Sequence, residues 1–324
     1  MPKTLIIKNK IKKFNKEIHV SGDKSLSIRW VLLASQAVGK SKGYNLLMSE
    51  DVLAALGAIK TLGIKVRVFR NYCEIFGRGV NKFKYKKDLT IDAKNSGTLG
   101  RLILGLLIKS PHKIKLVGDK SLSKRDFSRV TLPLEKFGAK FFYKTKNKLP
   151  ISILGSQHTK SIKYVENKGS AQCKSSVMLA ALNAPGTTSI KAKKSRNHSE
   201  LLFRYLKIPI KIKKTKEYDF IDIDQPKKIK AFNYQIPGDI SSSAFFMVLT
   251  TLSDDSRLLI RDVNINPSRT GVITILKKMG AKITLKNQRN YRGEKISDIL
   301  IKSSSNLRAI NCPTKLNSSA IDEF

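Results

Sequence analysis

One phrase recurs four times along the 324-residue chain: an apolar helical stretch, a break at or beside glycine, then a short run with strand character. The copies are AIKTLGIKVRV (58–68), PLEKFGAKFFY (133–143), LLFRYLKIPIKI (201–212) and ILKKMGAKITL (275–285). Their breaks, at Gly63, Gly138, Lys207 and Gly280, are 75, 69 and 73 residues apart. That period is too long for the usual solenoids and predicts a repeated α/β supersecondary unit. The length exceeds what one compact core holds in most architectures, so the units are expected to divide between two domains.

A second feature accompanies the first. Small polar loops precede apolar helices: GDKSLS before IRWVLLASQAV, NSGT before LGRLILGLLI, GSAQCKSS before VMLAALNA and GDISSS before AFFMVLTTL. Ser, Thr, Asn and Asp cap helices by accepting the free N–H groups of the first turn, and stops are predicted at Gly39, Pro111 and Ala184–Gly186. GDKSLS itself stands twice, at 22–27 and 118–123, each copy followed after one residue by arginine, Arg29 or Arg125. Lys24, Arg29, Arg101, Arg125 and Lys174 all lie in or within two turns of such loops. A capped helix start flanked by cations is a phosphate or carboxylate clamp, so the pattern predicts ligands rich in negative charge.

Lys and Arg total 63 against 24 Asp and Glu, a formal charge of +39. Such a field attracts nucleic acid, anionic membrane or phosphorylated metabolites alike. The basic residues are scattered as KNKIKKFNK, KFKYKK, KAKK, KIKK and KKIK, mostly lysine with few aromatics between, the pattern of a solvated surface. Cys73, Cys173 and Cys312 are odd in number and far apart, and His19, His112, His158 and His198 have no metal-site spacing, so neither disulfides nor a metal are expected. Gly39-Lys40-Ser41 imitates the end of a P-loop, but position 34 is Ala and the string closes a helix instead of opening one. No GxGxxG follows a strand. The N-terminus has only LII as an apolar run, and no stretch approaches the roughly 18 apolar residues of a membrane span. A cytoplasmic protein off the membrane is the expectation.

Seven strings, in order, then carry a resemblance. SGDKSLSIRWVLLASQAVGKS, DAKNSGTLGRLILGLL, GDKSLSKRDFSRVTLPLEKFGAK, GSAQCKSSVMLAALNAPGTT, SRNHSELLF, IPGDISSSAFFMVLTTL and INPSRTGVITILKKMGA resemble the motifs of the EPSP synthases, within the enolpyruvyl transferases. Ser21 replaces the usual Pro of the first motif and Ile28 its usual His or Asn. The resemblance implies an α/β fold of two domains, an inside-out α/β barrel of repeated βαβαββ units, with the second domain incomplete here. Residues 21–235 would form the complete, shikimate-phosphate-binding domain, and 1–20 with 236–324 the other.

The reaction so implied moves the enolpyruvyl group of phosphoenolpyruvate to the 5-hydroxyl of shikimate 3-phosphate and releases phosphate. By resemblance, Lys24, Ser25, Arg29, Ser170, Ala171, Gln172, Ser195, His198 and Asp322 would hold shikimate 3-phosphate. Lys24, Asn95, Gly97, Arg101, Arg125 and Gln172 would hold phosphoenolpyruvate. Lys24 would also shuttle a proton, and Asp322, in the IDEF string, would be the general base. No cofactor or metal is implied, nucleic-acid binding is not expected, and a monomer is. The family's KESDR-type and DHR-type motifs and its late Lys have no counterpart before Phe324, so the expectation is a C-terminally truncated, poorly active or inactive chain with exposed apolar surface in the second domain.

Two other readings make different predictions. The sister transferase acting on UDP-N-acetylglucosamine usually has Lys-Asn in the first motif and a catalytic Cys near residue 100, whereas Lys24 precedes Ser25 here and the GDKSLSKR region has no Cys. A nucleic-acid binder would show affinity that falls steeply with salt and that shikimate 3-phosphate does not compete.

Overall fold

The computed structural model describes residues 11–323; of the segment 1–20, residues 1–10 therefore lie outside the description. In chain order the elements begin β1 (Asn15–His19), α1 (Lys24–Gln36), β2 (Val38–Tyr44), α2 (Glu50–Thr61), β3 (Lys65–Val68), β4 (Tyr72–Arg78), β5 (Leu89–Asp92), α3 (Gly97–Leu106) and β6 (Ile114–Val117). They continue α4 (Lys120–Ser123), α5 (Ser128–Lys136), β7 (Lys140–Tyr143), β8 (Ile151–Leu154), β9 (Lys163–Glu166), α6 (Ala171–Ala181), β10 (Thr187–Lys193), α7 (His198–Tyr205), β11 (Ile210–Lys214) and β12 (Tyr218–Asp224). The last are β13 (Tyr234–Gln235), α8 (Ile240–Leu252), β14 (Arg257–Asn264), α9 (Gly271–Lys278), β15 (Lys282–Tyr291), β16 (Glu294–Lys302) and α10 (Asn317–Ala320).

Each recurring phrase folds as read: α2–β3, α5–β7, α7–β11 and α9–β15 are a helix, a break and a strand. Gly63, Gly138 and Gly280 take positive φ of 81°, 108° and 102°, and Lys207 fills the fourth break with a φ of 55°. At Gly63 the space is closed as well, since a Cβ would lie 2.0 Å from the Lys84 carbonyl oxygen. Every unit closes into the same four-stranded sheet. The first strand runs parallel to the second, the second pairs antiparallel with the fourth, and the third lies at the edge, as in β5-β6-β8-β7 and β9-β10-β12-β11. In the other two sheets the first strand comes from a distant part of the chain: β13 leads β2-β4-β3, and β1 leads β14-β16-β15.

The chain forms two compact units. One comprises 22–236 with the turn 292–294; the other comprises the remainder on either side of it. In the larger unit, α3 packs on both α1 and α6, while α1 lies against β4 and α6 against β10 and β12. Every residue of α1 from Leu26 to Gln36 is buried, including Trp30, so this helix is enclosed on all sides and not laid on a surface. α3 and α6 cross closely at Gly105, where a Cβ would lie 2.1 Å from the Ser176 carbonyl oxygen. Each Leu or Ile buried around them contributes about 1.5–3 kcal/mol.

The smaller unit packs one sheet against α8 and α9, with Met247, Leu258, Ile260, Ile273, Ile299 and Ile301 in its core. α8 buries one face only; Phe245 is 80% and Leu252 67% exposed, and Phe246, Val248 and Leu249 also reach solvent.

The helices start earlier than their polar preludes suggest. Asp23, Asp119, Ser170 and Asp239 cap at once, through Leu26, Leu122, Cys173 and Ser241 N–H groups, so Lys24, Ser25, Gln172 and Ser241 lie inside first turns instead of in loops. One stop is also corrected: α1 ends at Gln36, and Gly39 lies inside β2 with a φ of 106°.

Candidate functional site

Two cation clusters form in the larger unit, joined by α6. The first surrounds the start of α3. Ser96 caps this helix by accepting the Leu99 N–H at 3.2 Å, and Gly97 opens it. A Cβ on Gly97 would lie 2.9 Å from Arg125 Nη1 and 3.1 Å from Arg101 Nη1, so the missing side chain is what lets two guanidinium groups approach the helix start. Arg101 donates to Gln172 Oε1 at 2.7 Å, and Gln172 Nε2 donates to Thr98 Oγ1 at 3.0 Å. Arg101 also lies 5.4 Å from the Phe127 ring centre. Burial pushes its guanidinium below the ordinary arginine value, and Arg125 and Arg129 push the same way. Arg125 is exposed, and no carboxylate among the described residues forms an ion pair with it. Asn95 donates from Nδ2 to Asp119 Oδ2 at 2.5 Å, tying the NSGT loop to the second GDKSLS copy.

The second cluster surrounds α1. Arg29 is 4% exposed and donates three hydrogen bonds: Nη1 to the Ser25 carbonyl at 3.0 Å, Nη2 to Ser175 Oγ on α6 at 3.1 Å, and Nε to Ser199 Oγ on α7 at 2.9 Å. The two hydroxyls are themselves 2.7 Å apart. Burial lowers the Arg29 pKa to about 10, opposed by the nearby charges of Asp23 and Glu200, so the guanidinium is charged at neutral pH. Lys24 is half-exposed at the first position of α1, 4.0 Å from Asp51. Gln172 of the first cluster and Ser175 of the second are three residues apart on α6, which places them on one face of that helix.

Other sequence-selected residues have different surroundings. Ser170 caps α6 and donates its own N–H to Glu166 at 2.8 Å; Ala171 opens the helix. Ser195 Oγ is buried without a hydrogen-bond partner among the described residues. His198 is fully buried, with Nδ1 2.6 Å from Glu294 Oε1. Lys174, grouped by sequence with the clamp cations, is also fully buried and lies 2.6 Å from Glu200 Oε1, so it faces a carboxylate and not solvent. That corrects the reading: at the fourth position of α6 its side chain is turned into the helix core. Asp322 belongs to the smaller unit, where Arg269 Nη2 lies 3.7 Å from it and 3.9 Å from Asp239 and Glu323. Sequence reasoning missed Ser175, Ser199 and Glu200 as partners of the predicted cations, and Thr98 as the acceptor of the Gln172 amide. Ser175 and Thr98 stood within quoted polar strings, but nothing in SRNHSELLF singled out Ser199 or Glu200.

The family model described as EPSP synthase (3-phosphoshikimate 1-carboxyvinyltransferase) matches residues 8–314, a span that ends before Asp322. The 3-phosphoshikimate 1-carboxyvinyltransferase of Hydrogenovibrio crunogenus is 41% identical over 310 residues, covering 95% of this chain and 69% of its own length. That of Ruthia magnifica is 42% identical, with the same coverage. The solved EPSP synthase of Acinetobacter baumannii superposes with a TM-score of 0.87 at 36% identity, over 96% of this chain and 70% of that one.

Proposed function

The chain belongs to the EPSP synthase family, and from that premise we propose how its residues serve the family's reaction. The enolpyruvyl group of phosphoenolpyruvate passes to the 5-hydroxyl of shikimate 3-phosphate, giving 5-enolpyruvylshikimate 3-phosphate and phosphate, a step of the shikimate pathway towards aromatic amino acids. Two phosphates and two carboxylates must come together, and the site needs at least as many cations placed in advance to offset their repulsion.

The observation that carries the assignment of roles is the pair of guanidinium groups, Arg101 and Arg125, converging on the glycine that opens α3. This cluster receives phosphoenolpyruvate: its phosphate meets Arg125 and the N–H groups beside Gly97 and Asn95, with Gln172 and Arg101 fixing its orientation. Arg29 with Ser25, Ser170, Ala171 and Gln172 receives the phosphate of shikimate 3-phosphate. Ser195 lines that site, and His198, buried on Glu294, supports its wall. Lys24 contacts phosphoenolpyruvate and passes a proton to and from its methylene carbon. Asp322 takes the proton of the attacking hydroxyl; this role rests on the IDEF string, because the family match stops short of it. Residues 21–235 act as the complete shikimate-phosphate domain and 1–20 with 236–324 as the other. The protein works as a cytoplasmic monomer; no described helix is long and apolar enough to cross a membrane.

Calorimetric titration of the chain with shikimate 3-phosphate tests the assignment. Saturable binding that Arg29→Lys weakens supports it. Binding of UDP-N-acetylglucosamine instead, or no loss in the variant, overturns it. Phosphate release with both substrates then measures turnover.

A further inference from the structure

Three consecutive residues open α7, and each has a different buried partner. His198 meets Glu294 at 2.6 Å, Ser199 receives the Arg29 Nε–H at 2.9 Å, and Glu200 meets Lys174 at 2.6 Å. Lys174 precedes Ser175 in the chain as Glu200 follows Ser199. The ion pair and the pair of hydroxyls that seat Arg29 are thus two adjacent ties between the same elements, α6 and α7. We infer that Lys174 and Glu200 are positioning residues for the Arg29 guanidinium, and through it for the phosphate of shikimate 3-phosphate. The inference rests on the role given to Arg29 above.

A serine hydroxyl can rotate, so where it holds a guanidinium depends on where its backbone stands. Ser175 and Ser199 come from different helices, and a slide of one along the other would pull the two oxygens apart and open the fork. Apolar packing resists separation of helices but resists sliding poorly. A charged contact has a narrow optimum and fixes register. Lys174 and Glu200 are 0% and 3% exposed, so both charges have lost their hydration. A buried pair of this kind is often no more stabilising than two apolar residues of similar volume. Its use here is therefore geometric. Glu200 also adds a negative charge close enough to Arg29 to favour the guanidinium's charged form, together with Asp23 and Glu294 and against Arg196.

The experiment replaces the pair in two ways, Lys174→Met with Glu200→Leu, and Lys174→Gln with Glu200→Gln, and titrates the full chain separately with shikimate 3-phosphate and with phosphoenolpyruvate. The expected result is an unchanged or higher melting temperature for the apolar double variant, about tenfold weaker shikimate 3-phosphate binding, and phosphoenolpyruvate binding within about twofold of wild type. Lys174→Arg, which keeps the charge contact, should recover most of the lost affinity. A merely structural role would lower the melting temperature and weaken both ligands together, and that result overturns the inference. So does wild-type shikimate 3-phosphate binding in either double variant when Arg29→Lys is weakened. Should Arg29→Lys itself bind as wild type, the reading of Arg29 fails, and the inference falls with it. If the apolar double variant does not fold, the glutamine pair, which keeps size and polarity, decides by the same split.

Discussion

The two copies of GDKSLS share their first turn and little else. In both, an aspartate caps a helix through the N–H of the leucine three residues on, Asp23 to Leu26 at 2.8 Å and Asp119 to Leu122 at 2.7 Å. After the first copy the helix runs 13 residues through the middle of its unit; after the second it stops after four. The arginine that follows is consequently buried and hydrogen-bonded on three sides in one case and exposed beside a glycine in the other. An identical hexapeptide fixes the cap, and the residues after it decide where the cation goes. The first copy yields a rigid arginine seat, the second an open one.

Four measurements test that contrast. The largest effect is expected at the opening glycines. A Cβ on Gly22 would lie 2.0 Å from the Asn45 carbonyl oxygen, whereas one on Gly118 meets Leu122 Cδ2 at 2.7 Å and the Lys94 carbonyl oxygen at 3.0 Å. Gly22→Ala should cost about 3 kcal/mol in urea unfolding and Gly118→Ala about half as much; equal costs would mean that the loops are packed alike. Next come the arginines. Arg29→Lys cannot fill three directional contacts and should weaken shikimate 3-phosphate about 100-fold, while Arg125→Lys keeps a mobile charge and should weaken phosphoenolpyruvate only about 10-fold. The reverse order in calorimetry would break the comparison.

Gly97→Ala sharpens it. The new methyl meets the ends of two long side chains, Arg125 and Arg101, which can move aside. The melting temperature should hold, with phosphoenolpyruvate affinity reduced about fivefold; a large loss of stability would mean that these guanidinium groups are as fixed as Arg29. The smallest effect concerns pH. The Leu122 N–H and then the Asn95 amide hold the Asp119 carboxyl below the usual carboxylate range. A lowered pKa in the folded state contributes stability at pH values above the ordinary one, and that contribution disappears as pH falls through the lowered value. Below about pH 4 the wild-type melting temperature should therefore fall faster than that of Asp119→Asn; parallel curves would remove any weight from this exposed cap.

Much of the fold was legible because its signals are local. The recurring helix-to-strand phrase needs a left-handed break, and Gly63, Gly138 and Gly280 announce it; even Lys207, without glycine's freedom, was found by its place in the period. The caps were legible for the same reason, although the helices begin sooner than the polar strings suggested. The cations Arg29, Arg101 and Arg125 could be picked out by their distance from a cap. Spacing along the chain could not supply their partners, because Ser199 is 170 residues from Arg29 and Gln172 is 71 from Arg101; Gln172 came only from the family resemblance and Ser199 from nothing. Lys174 was misread for a related reason. Its sequence neighbourhood is that of a clamp, and only the fold turns it inward to Glu200.

The seat of Arg29 has one more consequence. Its three acceptors are two hydroxyls and a carbonyl, all uncharged. Hydroxyls can hold a guanidinium still without adding a negative charge of their own, so the side chain is immobilised while only the nearby carboxylates of Asp23, Glu200 and Glu294 offset its attraction for an incoming anion. A carboxylate at either serine would hold the arginine more tightly and leave it electrostatically mute. Ser175→Asp or Ser199→Asp is thus a way to switch the seat off while leaving it filled.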